Sequence, residues 1–136
     1  MTERLSVGRV SGQAMETRAV TAQFEDGMLT VWMTTQSPHL SRGVIARQLG
    51  LPPERIHVIA PDIGGGFGPK NRYYHEYTLV PLMAMRLGRP VSWVEDRRES
   101  FTSTFHGREQ VHEVTLGLSS DGKILALRDR FIYDQG

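Results

Sequence analysis

Residues Val31–Lys70 read VWMTTQSPHLSRGVIARQLGLPPERIHVIAPDIGGGFGPK. This stretch decides the fold because a strand, a helix and a second strand follow one another without a break and deliver the chain to a glycine cluster. The β-branched and aromatic run ends at Thr35. Ser37 and Pro38 then supply an N-cap type and a proline at the first helical position. Leu40, Val44, Ile45 and Leu49 recur on one face, and Gly50 is the stop, which predicts a helix of about three turns. After Pro52–Pro53 the run Arg55–Ala60 (RIHVIA) is a short β-branched strand. A crossover of this kind makes its two strands parallel neighbours. The loop Gly64–Gly68 then leaves the carboxyl end of a strand, where open α/β sheets place their ligands.

Upstream, AVTAQF and MLTVWMTT flank Glu25-Asp26-Gly27, a hairpin signal. Downstream, Tyr73–Leu87 is helical in pattern, broken or kinked at Pro81, and stops at Gly88 ahead of the strand PVSWVE. A second hairpin is predicted about Asp121–Gly122 in EVTLGLSSDGKILALRDRFIY. Trp32 and Trp93 fall in strand patterns and are expected in the core. The fold class is α/β (α+β), a mixed sheet with strand-helix-strand crossovers and two β-hairpins. The 136 residues contain no linker, repeat or low-complexity tract, so 1–136 is read as a single domain.

Composition excludes several classes. The 16 basic and 15 acidic side chains are scattered and leave a formal charge of +1, so no nucleic-acid or lipid-binding stripe is expected. No long apolar run spans a membrane and the N-terminus has no apolar signal region, which makes a cytoplasmic location the default. The absence of cysteine removes disulfides, thiol nucleophiles and cysteine metal sites. His39, His57, His75, His106 and His112 have no H-x-x-x-H or H-x-H spacing, so no metal held by protein atoms is expected and these histidines read as helix-start, loop or surface residues.

The glycine cluster matches neither common nucleotide loop. Counting from Gly64, the sixth position of a dinucleotide fingerprint is Pro69, and Lys70 is flanked by Pro69 and Asn71 rather than by the glycine and hydroxyl residue of a phosphate loop. Two readings stay open. Such bare backbone serves either as a packing turn, in a non-catalytic α/β interaction or nucleotide-binding domain, or as a nest of unhindered N–H groups for an anion or oxo group with Phe67 walling off water. Gln36, just past the neighbouring parallel strand, belongs to the same sheet edge and offers an amide donor and acceptor without charge. Glu76 is expected to cap or pair locally. Glu95–Ser100 (EDRRES) reads as a solvated helix start with local ion pairs.

The motifs GQAMETRAV (Gly12–Val20), TTQSPH (Thr34–His39), QLGLPPERIHV (Gln48–Val58), DIGGGFGPK (Asp62–Lys70), RLGRPVSWVEDRRESF (Arg86–Phe101) and HGRE (His106–Glu109) occur in this order. In order and spacing they resemble the molybdenum-binding large subunit of the xanthine dehydrogenase, aldehyde oxidase and carbon monoxide dehydrogenase family, the molybdenum hydroxylases. The resemblance implies a fragment of the molybdopterin-binding domain. It also implies a molybdenum-molybdopterin cytosine dinucleotide cofactor, iron-sulfur and FAD partner subunits, the remainder of a large subunit, and a small-molecule substrate. The implied activity is oxidative hydroxylation of aldehydes or heterocycles, or oxidation of CO, with water as the oxygen source. Gln36 matches the family's glutamine that hydrogen-bonds an oxygen ligand of the metal. Gly65, Gly66, Phe67 and Gly68 match the loop that lies against the apical ligand and the pterin. Asn71 stands where purine-oxidising members carry a glutamate, which argues against purines, and Pro69 stands where many relatives have glycine or asparagine. The family's glutamate base and later glycine-rich segments have no counterpart here. The chain is therefore expected to be truncated at its C-terminus relative to the family and inactive by itself.

Overall fold

Residues 1–134 are described by a computed structural model. Its elements are β1 (Thr2–Val7), β2 (Ala19–Glu25), β3 (Met28–Met33), α1 (Pro38–Leu49), β4 (Ile56–Ile59), α2 (Glu76–Leu87), β5 (Val91–Val94), α3 (Arg97–Ser103), β6 (Gln110–Leu118) and β7 (Ile124–Tyr133). Contacts divide them into two compact units, Gly12–Thr104 and Met1–Ser11 with the residues from Phe105 onward.

In the unit Gly12–Thr104 the β2–β3 hairpin turns at Asp26 and Gly27, both left-handed at φ 50° and 76°, the geometry that matches the twist of the flanking strands. The strand order is β4-β3-β2-β5. β3 and β4 are parallel, with Val31 opposite Val58, as the strand-helix-strand reading requires. The central pair β2·β3 and the pair β2·β5 at the other edge are antiparallel, so the sheet is mixed. Side chains alternate across a strand, and here Val20, Ala22, Leu29, Val31 and Met33 turn to one face. Ile45 and Ala46 of α1, and Tyr77, Val80 and Ala84 of α2, cover it to form the core. Burial of this apolar surface is the main stabilising term, roughly 25 cal/mol per Å².

Trp93 packs against this core as expected. Trp32 does not: it alternates with Val31 and Met33 onto the opposite face and is 37% exposed. The helix faces also depart from expectation. In α1 the buried residues are Ser41, Ile45 and Ala46, whereas Leu40 is exposed, so the covered stripe is rotated by about one position. α2 begins at Glu76 instead of Tyr73 because a short 3₁₀ turn at Pro69–Asn71 and the descent of Tyr74 into the core occupy the preceding residues. It then runs through Pro81 without interruption. An interior proline costs about 3 kcal/mol, and here it is offset by the buried neighbours Tyr77, Val80 and Ala84.

The other unit is a three-stranded antiparallel sheet in the order β1-β6-β7. The β6–β7 hairpin turns about Asp121–Gly122 as predicted, with Gly122 at φ 84°. β1 was not anticipated from the sequence. It pairs with β6, Leu5 opposite His112, but every residue in it is exposed, so no burial pattern announces it.

Candidate functional site

The parallel pair β3·β4 brings two loops to one end of the sheet. Past β3, Gln36 donates its backbone N–H to Lys70 O at 3.0 Å, and its side-chain Oε1 accepts from Gly68 N–H at 2.9 Å. A backbone donor at Oε1 fixes the amide's orientation. The Nε2 end therefore has two N–H groups and, among the described residues, no partner. The sequence-predicted residues Gln36, Gly65, Gly66, Phe67 and Gly68 are thus brought together.

The loop is built to a tight tolerance. A Cβ on Gly66 would lie 2.6 Å from Gln36 Cγ, and one on Gly65 would lie 2.9 Å from the Phe67 ring. Gly68 takes φ 95°, closed to most side chains, with open space where its Cβ would be. Phe67 itself stands at φ 52°, an uncommon conformation for a bulky residue that occurs where surroundings over-determine it. Gly12 is part of that support: a Cβ there would lie 2.8 Å from Phe67 Cβ. The Gly64–Gly65 peptide is cis.

Phe67 is nevertheless 71% exposed. A turn made for packing would bury it, so the aromatic ring faces a space that this chain does not fill. The N–H groups of Gly65, Gly66 and Phe67 have no partner among the described residues, whereas Gly64, Gly68 and Asn71 N–H groups donate to Glu16 Oε2, Gln36 Oε1 and Gly68 O. Three free backbone donors, a free amide donor and an uncovered aromatic ring suit a large ligand rich in oxygen and aromatic surface. At the edge of this group Asn71 Oδ1 accepts from Ser37 Oγ. Ser37 precedes α1 but makes no side-chain cap, because its hydroxyl is directed to Asn71 instead.

Sequence reasoning missed what lies behind the loop. Lys70 is buried and its Nζ donates to Glu16 Oε2 at 2.6 Å. Burial works against the Glu16 carboxylate, but the Lys70 ammonium and the Gly64 N–H outweigh it and hold the carboxyl below its ordinary range. Arg18 and Glu95 form a second buried pair, with Arg18 Nε to Glu95 Oε1 at 2.9 Å and NH2 to Oε1 at 2.5 Å. The Arg18 guanidinium also stacks on the Tyr74 ring at 3.6 Å. Burial opposes its charge, and the hydrogen bonds and charge of Glu95 more than restore it. Glu95 is therefore not part of a solvated run. The helix start that was expected begins one residue later, where Asp96 and Glu99 close a reciprocal capping box. Glu76 pairs with Arg18 at 3.5 Å, not with a neighbour on its own helix. The signal for these pairs was present only as charged residues inside GQAMETRAV and VSWVE, whose partners are distant in sequence.

Among the described residues no group of three or more His, Asp or Glu side chains is placed to hold a metal ion. His112 instead bonds Asp129 at 2.9 Å and stacks on Phe131. Among the described residues no helix is long and apolar enough to cross a membrane.

Comparison with known proteins gives one consistent result. Residues 1–136 match the family described as molybdopterin cofactor-binding domain. Among curated proteins, the carbon monoxide dehydrogenase large chain of Afipia carboxidovorans is 43% identical over 130 residues, covering 94% of this chain and 16% of that protein. The nicotine 6-hydroxylase large subunit of Paenarthrobacter nicotinovorans is 38% identical over 131 residues, covering 95% of this chain and 16% of that protein. Among solved structures, quinoline 2-oxidoreductase from Pseudomonas putida 86 superposes with a TM-score of 0.92 at 42% identity, covering 98% of this chain and 17% of that one. The chain thus spans about a sixth of the length of these relatives.

Proposed function

The chain belongs to the molybdopterin cofactor-binding domain family, and from that premise we propose that it is the part of a molybdenum hydroxylase large subunit that presents Gln36 and the Gly65–Gly68 loop to the cofactor. The observation that carries this reading is the Gln36 Oε1 to Gly68 N–H bond at 2.9 Å. It holds the loop in place and leaves the amide's donor end beside three backbone N–H groups, all without a partner among the described residues.

The cofactor of this reading is a molybdenum-molybdopterin cytosine dinucleotide, which when bound supplies two-electron oxidation of a small molecule with oxygen from water. The chain's own share is orientation and electrostatics. Gln36 Nε2 is the donor toward a ligand oxygen, and the Gly65, Gly66 and Phe67 N–H groups present fixed dipoles where negative charge develops, at no cost of reorganisation. Phe67 excludes water from one side, and the bare Cα of Gly68 leaves room for close approach. The substrate class is an aldehyde, a heterocycle or CO. Asn71 brings no carboxylate to the site, which disfavours purines. The partners are the rest of a large subunit and iron-sulfur and FAD subunits that carry the electrons away, in the cytoplasm.

The test is metal and nucleotide analysis of the complete subunit expressed with its partners. Stoichiometric molybdenum and release of cytidine monophosphate on acid hydrolysis are expected, and a subunit without molybdenum overturns the reading. The chain alone is expected to hold no molybdenum and to oxidise nothing, because the loop covers only one side of so large a ligand.

A further inference from the structure

Lysine is almost never fully buried unless paired, and Lys70, on which the glycine loop ends, is 2% exposed. Its partner Glu16 comes from the segment before β2. Glu16 Oε2 accepts from Lys70 Nζ at 2.6 Å and from Gly64 N–H at 2.9 Å, and Glu16 N–H donates to Gly64 O at 2.9 Å. One carboxylate oxygen therefore ties the loop where it enters, at Gly64, and where it leaves, at Lys70. Gly65, Gly66 and Phe67, whose N–H groups have no partner among the described residues, are strung between. Lys70 O in turn accepts from Gln36 N–H at 3.0 Å, so the same residue joins this tether to Gln36.

We propose that Glu16 and Lys70 are positioning residues of the cofactor loop, a carboxylate-ammonium clamp behind it that holds the Gly65–Phe67 N–H groups in the geometry the cofactor meets. The proposal rests on the reading of the loop as a cofactor site. The clamp works through charge. Glu16 is ionised at neutral pH, and because its folded-state pKa is lowered, the tether is present above the ordinary carboxylate range and lost as pH falls through the lowered value. The charged groups around Glu16 are Lys70 itself, Arg97 of α3, whose guanidinium donates to Ala14 O and Met15 O at 2.8 and 2.6 Å, and, lining the same small cavity of about 10 Å³, Arg18 and Glu95. These last two are bonded to each other.

Amide hydrogen exchange of the full chain, read at Gly64 and at the core amides of α2, tests the clamp. In Lys70→Met and Glu16→Gln, exchange at Gly64 is expected to quicken at least roughly tenfold while the α2 amides stay protected. Wild-type Gly64 exchange, corrected for the intrinsic pH dependence, is expected to step up as pH falls through the lowered Glu16 value, and Glu16→Gln removes the step. A lysine that merely fills space produces no such step. Because Glu16→Gln leaves a buried ammonium unpaired, the Glu16→Gln/Lys70→Met double variant is the folded control, and its Gly64 is expected to remain fast. In the complete subunit, Lys70→Met lowers molybdenum occupancy. Unchanged Gly64 exchange in folded variants, or full occupancy with normal turnover, overturns the clamp. A wild-type subunit lacking molybdenum overturns the functional reading instead, and the exchange result stands independently.

Discussion

Gly66 leaves the space that Gln36 fills: a Cβ at position 66 would lie 2.6 Å from Gln36 Cγ and 2.7 Å from its Oε1. The glycine is required by a side chain, not by its own backbone angle. Gly68, two residues on, is required by its backbone, at φ 95° with no neighbour near its Cβ position.

The two glycines are therefore expected to respond differently to alanine. Gly66→Ala overpacks the site and costs about 1–3 kcal/mol, most of which disappears in a Gln36→Ala background. Gly68→Ala costs about 1–2 kcal/mol from its left-handed conformation, whether or not Gln36 is present. A double-mutant cycle by urea unfolding measures both. Equal coupling of the two glycines to Gln36 contradicts the assignment.

Gln36→Glu separates the two ends of the amide. An ionised carboxylate still accepts from Gly68 N–H but donates nothing. In a complete subunit molybdenum content is expected to be retained while turnover falls by roughly 10²–10³, the usual loss for one preorganised donor. Gln36→Ala loses the same donor and the anchor to Gly68. Full activity in either variant removes the role given to this residue.

Breaking the buried pair is expected to be costly. Arg18 is 2% exposed and Glu95 1% exposed by side chain, so Glu95→Gln or Arg18→Met leaves a polar group without its main partner, at about 3–5 kcal/mol each. The Arg18→Met/Glu95→Gln double variant is expected to lose clearly less than the sum. Denaturant midpoints report the difference, and additive losses would show that the two side chains act independently.

Tyr77 makes the fold sensitive to alkali. Burial raises its phenol pKa, only partly opposed by the Arg18 charge and the Thr34 side chain, and its hydroxyl donates to Thr34 O at 3.3 Å. A raised folded value gives stability that is full below the unfolded value of about 10 and lost as pH climbs above it. Tyr77→Phe is expected to cost about 1 kcal/mol at neutral pH and to flatten the decline above pH 10. A residual slope from Tyr73, also raised by burial, remains. An unchanged slope in Tyr77→Phe would assign the alkaline sensitivity elsewhere.

Local signals carried much of the fold. Asp26-Gly27 and Asp121-Gly122 specify their hairpins because few residues accept the turn angles, and Pro38 with Gly50 bounds α1 because each matches one helix end. From these the parallel β3·β4 pair follows, and with it the meeting of Gln36 and the glycine loop. Which face of each element is covered was less legible. Trp32 and Leu40 are as apolar as their buried neighbours, and only the packing of α1 and α2 over one face of the sheet decides which are left outside.

The sequence by itself determined the turns, the crossover and the placing of Gln36 and Gly64–Gly68 at one sheet edge, because each depends on residues within one hairpin or one strand-helix-strand unit. Only the tertiary structure decided that Lys70 turns inward to Glu16, 54 residues away, and that Arg18 reaches Glu95, 77 away. A charged side chain carries no mark of its partner. Whether it stays in water or is buried rests on a single opposite charge brought within hydrogen-bond reach, and that is fixed only when the sheet and its loops have closed around it.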